Sequence, residues 1–126
     1  MRSTGGYPQA GVPGPGRPSL RRRSFQNLAL RLEPTGATHA VAQAQHGSAP
    51  DIAGKDIANP AALIGSAAML LGWLGERRGD ERLARAAAAI EAALDAVIAR
   101  PEWRTPDLGG PLGTKAFGER VAAEVK

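Results

Sequence analysis

An uninterrupted apolar stretch places the strongest constraint on how this chain can fold. From Ala61 to Leu74, 14 consecutive residues include no charged side chain. A membrane-spanning helix needs roughly 20 apolar residues, so the stretch predicts a buried helix instead. Asn59 is a favoured N-cap, Pro60 suits the first helical position, and Gly79 predicts the stop of a helix that ends near Glu76. Because this helix is apolar nearly all round, we expect most of its sides to be covered.

Capping residues and apolar spacing predict two further helices. Asp80 is expected to cap a second helix that ends before Pro101 and carries one apolar stripe. The stripe consists of Leu83, Ala87, Ile90, Leu94 and Val97. A loop rich in Pro and Gly spans residues 101–113, and Thr114 is expected to cap a last helix that runs to about Val125. One face of that helix carries Phe117, Val121 and Val125.

The first 36 residues differ in composition from the rest of the chain. They contain six Arg and one Glu, a net charge of +5, whereas residues 37–126 contain ten Lys or Arg and eleven Asp or Glu, a net charge of −1. Dense Gly and Pro predict a disordered leader with at most a short helix over residues 24–32, and translation in a shifted reading frame would explain it. Because the basic charge lies in these first 36 residues, it does not favour nucleic-acid binding by the folded part. A short strand over residues 38–45 is the next element predicted.

Residues 46–60, HGSAPDIAGKDIANP, are the segment best suited to binding a ligand. Gly47 and Gly54 permit close approach of a ligand to the backbone, and free N–H groups in such a turn favour anions. Asp51 follows a rigid proline, and Asn59 offers both a donor and an acceptor. Ordinary strand-to-helix loops with a capping Asn share these features, so composition alone leaves both interpretations open.

Two separated motifs make the chain resemble a known enzyme family. HGSAPDIAGKDIANP, followed by the apolar AALIGSAAMLL, is similar to the adenosine-binding segment of the isocitrate/3-isopropylmalate dehydrogenase family. TPDLGGPLGT, at residues 105–114, resembles the C-terminal signature of that family, and the resemblance covers about residues 37–126 but not residues 1–36. It implies an α/β fold class: the C-terminal part of an isopropylmalate dehydrogenase-like domain, with a short strand, an NAD loop and three helices, incomplete on its own.

The resemblance assigns each loop residue a role in binding NAD. Residues that match the family's adenosine-wrapping segment are His46, Gly47, Ser48, Ala49 and Pro50. Asp51 is implied to accept hydrogen bonds from the adenine ribose hydroxyls, Ile52 to pack on the adenine, and Asn59 to bond the adenine edge. A carboxylate at the ribose would repel the 2′-phosphate of NADP, so Asp51 favours NAD.

The resemblance also implies chemistry that this sequence does not supply. Members of the family oxidise and decarboxylate a 2-hydroxy acid such as 3-isopropylmalate or isocitrate, with Mg²⁺ or Mn²⁺ held by aspartates. They also use Arg residues to bind carboxylates, and a Tyr and a Lys for proton transfer. We expect neither catalytic nor metal-binding residues here, because Asp80 suits a helix cap, Asp95 a solvated helix face and Asp107 a turn. The fragment alone is expected to be inactive.

The implied setting is a cytoplasmic dimeric enzyme, completed by a missing N-terminal half or a homodimer partner. The absence of Cys excludes disulfides and fits a reducing compartment, and no membrane partner is expected. Without its partner, the apolar first helix would expose a large patch, so poor stability is expected. The alternative interpretation is a non-catalytic helical interaction protein that docks on a separately encoded partner half.

Overall fold

A two-stranded sheet and three helices form the part of the chain that the computed structural model describes, residues 30–35 and 38–126. The strands are β1 (Leu30–Thr35) and β2 (His39–Ala44). The helices are α1 (Ala61–Arg78), α2 (Glu81–Ala99) and α3 (Thr114–Glu124). Short 3₁₀ turns occupy Pro50–Ile52, Pro101–Trp103 and Pro106–Leu108. This mixed α/β arrangement confirms the predicted fold class.

The sheet is an antiparallel pair in which Leu30 faces Ala44 and Thr35 faces His39. The predicted strand over residues 38–45 is therefore confirmed, while the predicted helix over residues 24–32 is wrong for its last three residues. Leu32 is half-buried between two exposed charged neighbours, which is the two-residue alternation of a strand with one covered face. The remainder of that helix prediction lies outside the described residues.

Helix α1 begins one residue later than predicted and ends two residues later. Pro60 occupies the N-cap position, and the Asn59 side chain nevertheless caps the helix, because the Ala61 N–H donates to Asn59 Oδ1 at 2.9 Å. Gly79 ends the helix in the left-handed conformation, as predicted, with φ of 63°. The sheet packs on one side of α1 and α2 on another. Leu63 is nevertheless 62% exposed, so the covering of α1 is less complete than predicted.

Helix α2 has the predicted cap and the predicted buried stripe. The Arg82 N–H donates to Asp80 Oδ1 at 2.9 Å, and hydrogen bonds from the Arg82 side chain hold the pKa of the Asp80 carboxyl below its ordinary value. Ala87, Leu94 and Val97 of the stripe are buried, and Leu83 and Ile90 are half-buried. At the other end, Arg104 Nε donates to the Ile98 carbonyl oxygen at 2.6 Å, which satisfies a carbonyl of the last turn.

Helix α3 completes the core by packing on α2. Phe117 is fully buried and Val121 nearly so, as predicted, but Val125 is 41% exposed. The prediction was wrong for Val125 because the helix ends at Glu124 and the extended backbone of the next residue leaves the helical face. The core consists of Ala61, Ala93, Leu94, Val97, Phe117 and Val121. None of the described helices is long and apolar enough to cross a membrane.

Candidate functional site

The candidate site is the segment between β2 and α1, residues 45–60. It leaves the end of β2 at Ala44, passes through the 3₁₀ turn Pro50–Ile52 and enters α1 at Ala61. His46 through Asp51 are all exposed, whereas Ile52 and Asn59 are half-buried. The order predicted from the sequence, a strand, a loop and then a helix, is therefore present, with most of the proposed site residues on the surface.

Three residues in the left-handed conformation give the loop its shape. Gly54 has φ of 75°, and Ala49 and Asp56 have φ of 44° and 54°. Within this segment the Ile52 N–H donates to the Ala49 carbonyl at 3.1 Å, and the Lys55 N–H donates to the Ile52 carbonyl at 3.1 Å. A non-glycine residue in this conformation costs about 1 kcal/mol or more, so surrounding contacts must hold Ala49 and Asp56 in place. The sequence did not predict a left-handed backbone at either residue.

Gly54→Ala is expected to lower the free energy of unfolding by about 1 kcal/mol. The left-handed backbone at this position is the physical reason, since a Cβ added there meets no described residue other than its chain neighbours within 4 Å. Gly47→Ala is the matched control in the same loop, because Gly47 also has open space and its φ is not left-handed. Urea denaturation of both variants is the measurement, and equal losses of stability would contradict the assigned role of the Gly54 backbone.

Asp51 presents a carboxylate on the surface of the 3₁₀ turn. It is exposed, and within residues 30–35 and 38–126 its carboxylate takes part in no hydrogen bond or ion pair. His46 lies at the start of the same segment, where its Nδ1 is 2.9 Å from the Gly47 carbonyl oxygen. A carbonyl only accepts, so Nδ1 is the donor in this contact. The segment therefore offers the Asp51 carboxylate as an acceptor for a ligand.

Asn59 is held at both ends of its amide. Its Nδ2 donates to Asp107 Oδ2 at 2.9 Å, while its Oδ1 accepts the Ala61 N–H at 2.9 Å. An amide has two N–H donors and two acceptor lone pairs, so one of each remains for a ligand. Asp107, which the sequence predicts to be a turn residue, does lie in the 3₁₀ turn Pro106–Leu108. Its contact with Asn59, 48 residues earlier, was not predicted.

Asp56 ties the loop to the start of α3. The Thr114 N–H donates to the Asp56 carbonyl at 3.0 Å, and the Lys115 N–H donates to Asp56 Oδ1 at 2.9 Å. The prediction that Thr114 is the N-cap is wrong, because Gly113 holds that position and has no side chain to accept the helix N–H groups. The side chain of Asp56, which precedes Lys115 by 59 residues, accepts a helix N–H group instead. The Thr114 hydroxyl is used elsewhere and donates to the Ala58 carbonyl at 2.5 Å.

The two motifs noted in the sequence thus meet in space. Asn59 and Ala58 of the first motif form hydrogen bonds with Asp107 and Thr114 of the second motif. Asp56 of the first motif forms one with Lys115, the residue that follows the second motif. These hydrogen bonds anchor the second half of the loop. The first half of the loop, which carries Asp51, is exposed. In the described ranges no group of three His, Cys, Asp or Glu residues is placed to hold a metal ion. These residues therefore do not fit the divalent cation that the resemblance implies.

Comparison with known proteins places the chain in a family. The model of the isocitrate/isopropylmalate dehydrogenase family matches residues 30–121. The mixed α/β fold and the two motifs agree with a segment of such a dehydrogenase. The chain belongs to the isocitrate/isopropylmalate dehydrogenase family. The resemblance to this family that the two sequence motifs indicated is therefore confirmed.

Individual relatives show how much of a full-length protein this chain represents. It is 53% identical over 100 residues to an isocitrate/homoisocitrate dehydrogenase of Thermus thermophilus, covering 77% of this chain and 28% of the relative. It is 47% identical over 91 residues to a 3-isopropylmalate/3-methylmalate dehydrogenase of Methanocaldococcus jannaschii, covering 72% and 25%. A tartrate dehydrogenase/decarboxylase of Pseudomonas putida is 49% identical over 77 residues, with 61% and 20% covered. The chain thus spans about a quarter of the length of these curated relatives.

Proposed function

We propose that this chain provides the adenosine-binding part of the cofactor site in an NAD-dependent, oxidatively decarboxylating dehydrogenase. The observation that carries the proposal is the exposed Asp51 carboxylate on a turn of a loop whose other end is anchored by α3. A ligand with vicinal hydroxyls, such as the adenine ribose, could donate to both oxygens of that carboxylate without displacing another partner.

The remaining loop residues are proposed to surround the adenosine. His46, Gly47, Ser48, Ala49 and Pro50 would wrap it, and Ile52, which is half-buried, would present an apolar surface to the adenine. Asn59 would bond the adenine edge through its remaining donor and acceptor. Support comes from the exposure of the first five residues and from the two contacts that already orient the Asn59 amide.

The charge of Asp51 also supports NAD over NADP. Like-charged groups in contact repel each other, and NADP carries an added 2′-phosphate next to the ribose oxygens that Asp51 would bind. One relative, an NAD isocitrate dehydrogenase subunit alpha from Macaca fascicularis, is 45% identical over 87 residues. We propose that the cofactor of the enzyme to which this chain corresponds is NAD.

We propose that the reaction itself needs residues from outside this chain. Relatives named as acting on isocitrate, homoisocitrate, 3-isopropylmalate or tartrate match similar shares of the chain, which supports our proposal that the substrate is a 2-hydroxy acid with a second carboxylate. Because the described residues do not fit Mg²⁺ or Mn²⁺, we assign no catalytic step to them. The missing N-terminal half or a homodimer partner would supply these groups, and the chain alone would be inactive. β1 and the family match both begin at residue 30, and we propose that residues 37–126 belong to the family segment.

Replacement of Asp51 tests the proposed cofactor site. Asp51→Ala is expected to weaken NAD binding by the 126-residue chain roughly tenfold or more, since hydrogen bonds to a charged group are lost. Asp51→Lys is expected to shift the ratio of NADP to NAD affinity towards NADP. Calorimetric titration with each dinucleotide measures both effects.

Glu102→Lys is the matched control for Asp51→Lys. Glu102 is exposed in the 3₁₀ turn Pro101–Trp103, so the substitution makes the same change in charge outside the loop. We expect it to leave the NAD affinity unchanged. If Asp51→Lys and the wild-type chain respond equally to NAD, Asp51 does not lie at the ribose and the proposal fails.

A second candidate function, docking on a separately encoded partner, is favoured by the surface of α1. Leu63 and Ala67 are exposed, and Leu70 and Leu74 are half-buried on the same helical face. Such an apolar stripe is typical of a surface that another protein segment covers. Co-expression with the upstream gene product, followed by purification of both, would distinguish this function from that of a lone fragment.

A further inference from the structure

We propose that Asp107 is a positioning residue that makes the loop selective for adenine by fixing the orientation of the Asn59 amide. This inference rests on the proposed function, because it assumes that Asn59 faces the base of a bound dinucleotide. It adds a residue from the second motif to a site that the sequence places wholly in the first. The observation behind it is the 2.9 Å hydrogen bond from Asn59 Nδ2 to Asp107 Oδ2.

The Asp107 carboxylate is itself held in place. The Thr105 hydroxyl donates to Asp107 Oδ1 at 2.5 Å, and Thr105 is fully buried. The Thr105 carbonyl in turn accepts the N–H groups of Leu108 and Gly110, both at 3.0 Å. Both carboxylate oxygens are therefore used, one to hold the carboxylate within its own turn and the other to reach the loop across 48 residues. A side chain so constrained is well placed to orient its neighbour.

An ionised carboxylate is an acceptor on both oxygens, so it distinguishes the two ends of an amide. Only the Nδ2 end of Asn59 can face Asp107, and the Ala61 N–H likewise requires the Oδ1 end on its side. These two contacts exclude the flipped amide. Without Asp107, one of the two restraints is lost, and only the Ala61 N–H still opposes the flipped amide.

The order of donor and acceptor decides which base the amide can read. Adenine presents an amino donor beside a ring-nitrogen acceptor, whereas hypoxanthine presents a carbonyl acceptor beside a ring N–H donor. A fixed amide matches one of these patterns and opposes the other, because an unpaired polar group left in the contact is unfavourable. An amide held by one restraint instead of two discriminates between the two bases less strongly. Asp107 thereby acts on base selectivity without touching the cofactor.

The test compares binding of NAD and nicotinamide hypoxanthine dinucleotide by the wild-type chain and by Asp107→Ala, Asn59→Ala and the double variant. We expect Asp107→Ala to weaken NAD binding and to reduce the preference for adenine, each roughly fivefold. In the Asn59→Ala background, Asp107→Ala should cause no further change, because its effect acts through Asn59. Glu102→Ala removes an exposed charge from a neighbouring turn and is expected to change neither affinity.

Asp107→Asn guards against misfolding of the alanine variant. This variant keeps the size of the side chain and an acceptor for the Thr105 hydroxyl, but it can place an amide donor against Asn59. We therefore expect the preference for adenine to shrink. The thermal midpoint should stay near that of the wild type. Additive effects of Asn59→Ala and Asp107→Ala, or an unchanged preference in Asp107→Asn, would overturn the positioning role. Failure of the wild-type chain to bind either dinucleotide would overturn the proposed function and this inference with it.

Discussion

Gly113→Ala is expected to destabilise the protein by about 3 kcal/mol, the sum of overpacking and a lost helix cap. A Cβ at this position would lie 2.7 Å from the Asp56 carbonyl oxygen and closer still to the Asp56 carboxylate. Asp56 supplies the acceptors for the first N–H groups of α3, so moving it away removes the cap. Thermal unfolding followed by circular dichroism should show a midpoint more than about 10 °C lower than that of the wild type.

Gly118→Ala is the matched control for Gly113→Ala. Gly118 lies inside α3, and a Cβ added there meets nothing within 4 Å among the described residues beyond its chain neighbours and the backbone of its own helix. The same chemical change should therefore raise stability by roughly 0.5–1 kcal/mol. The two variants are therefore expected to shift the midpoint in opposite directions. A Gly113→Ala protein as stable as the wild type would show that Asp56 does not approach the start of α3 as closely as described.

Phe117→Ala is expected to cost about 3–5 kcal/mol, the range for truncation of a fully buried aromatic side chain. Phe117 has no exposed surface and is the largest fully buried side chain, in contact with the core around Leu94 and Val97. Because small domains are stable by only about 5–15 kcal/mol, this loss should come close to abolishing cooperative unfolding. Urea titration followed by tryptophan fluorescence and circular dichroism measures it.

Val125→Ala is the corresponding control on the predicted apolar face of the same helix. Val125 is 41% exposed, and we expect its truncation to change stability by less than about 0.5 kcal/mol. If the two substitutions had similar effects, α3 would bury a different face from the one described, and the contact between α3 and α2 would have to be reconsidered.

Elements whose signals are local could be predicted from the sequence. Asp80, Gly79 and the apolar spacing of α2 act within one or two helical turns, and the structure confirms each of them. The loop between β2 and α1 was likewise predicted, since Gly and Pro disfavour regular structure wherever they cluster. The resemblance added the assignment of the loop residues to NAD, which stays a prediction.

Features that depend on distant partners could not be predicted in this way. Leu30–Thr35 contains a Pro and follows a Gly- and Pro-rich stretch, and it forms a strand because β2 pairs with it. Asp56 and Asp107 resemble ordinary surface carboxylates in sequence, and their contacts lie 59 and 48 residues away. The periodicity of a helix or a strand relates only residues that are a few positions apart, so it could not predict these contacts. Ala49 shows no sequence signal for its left-handed backbone at all.

The hydrogen bonds from Thr114 and Lys115 to Asp56 have a consequence for the order of assembly. Closing so long a stretch of chain is entropically unfavourable until both ends are structured, so contacts of this kind form late in folding. During synthesis the loop emerges from the ribosome well before the helix that fastens it. The second half of the loop can therefore be fastened only after the start of α3 has been synthesised.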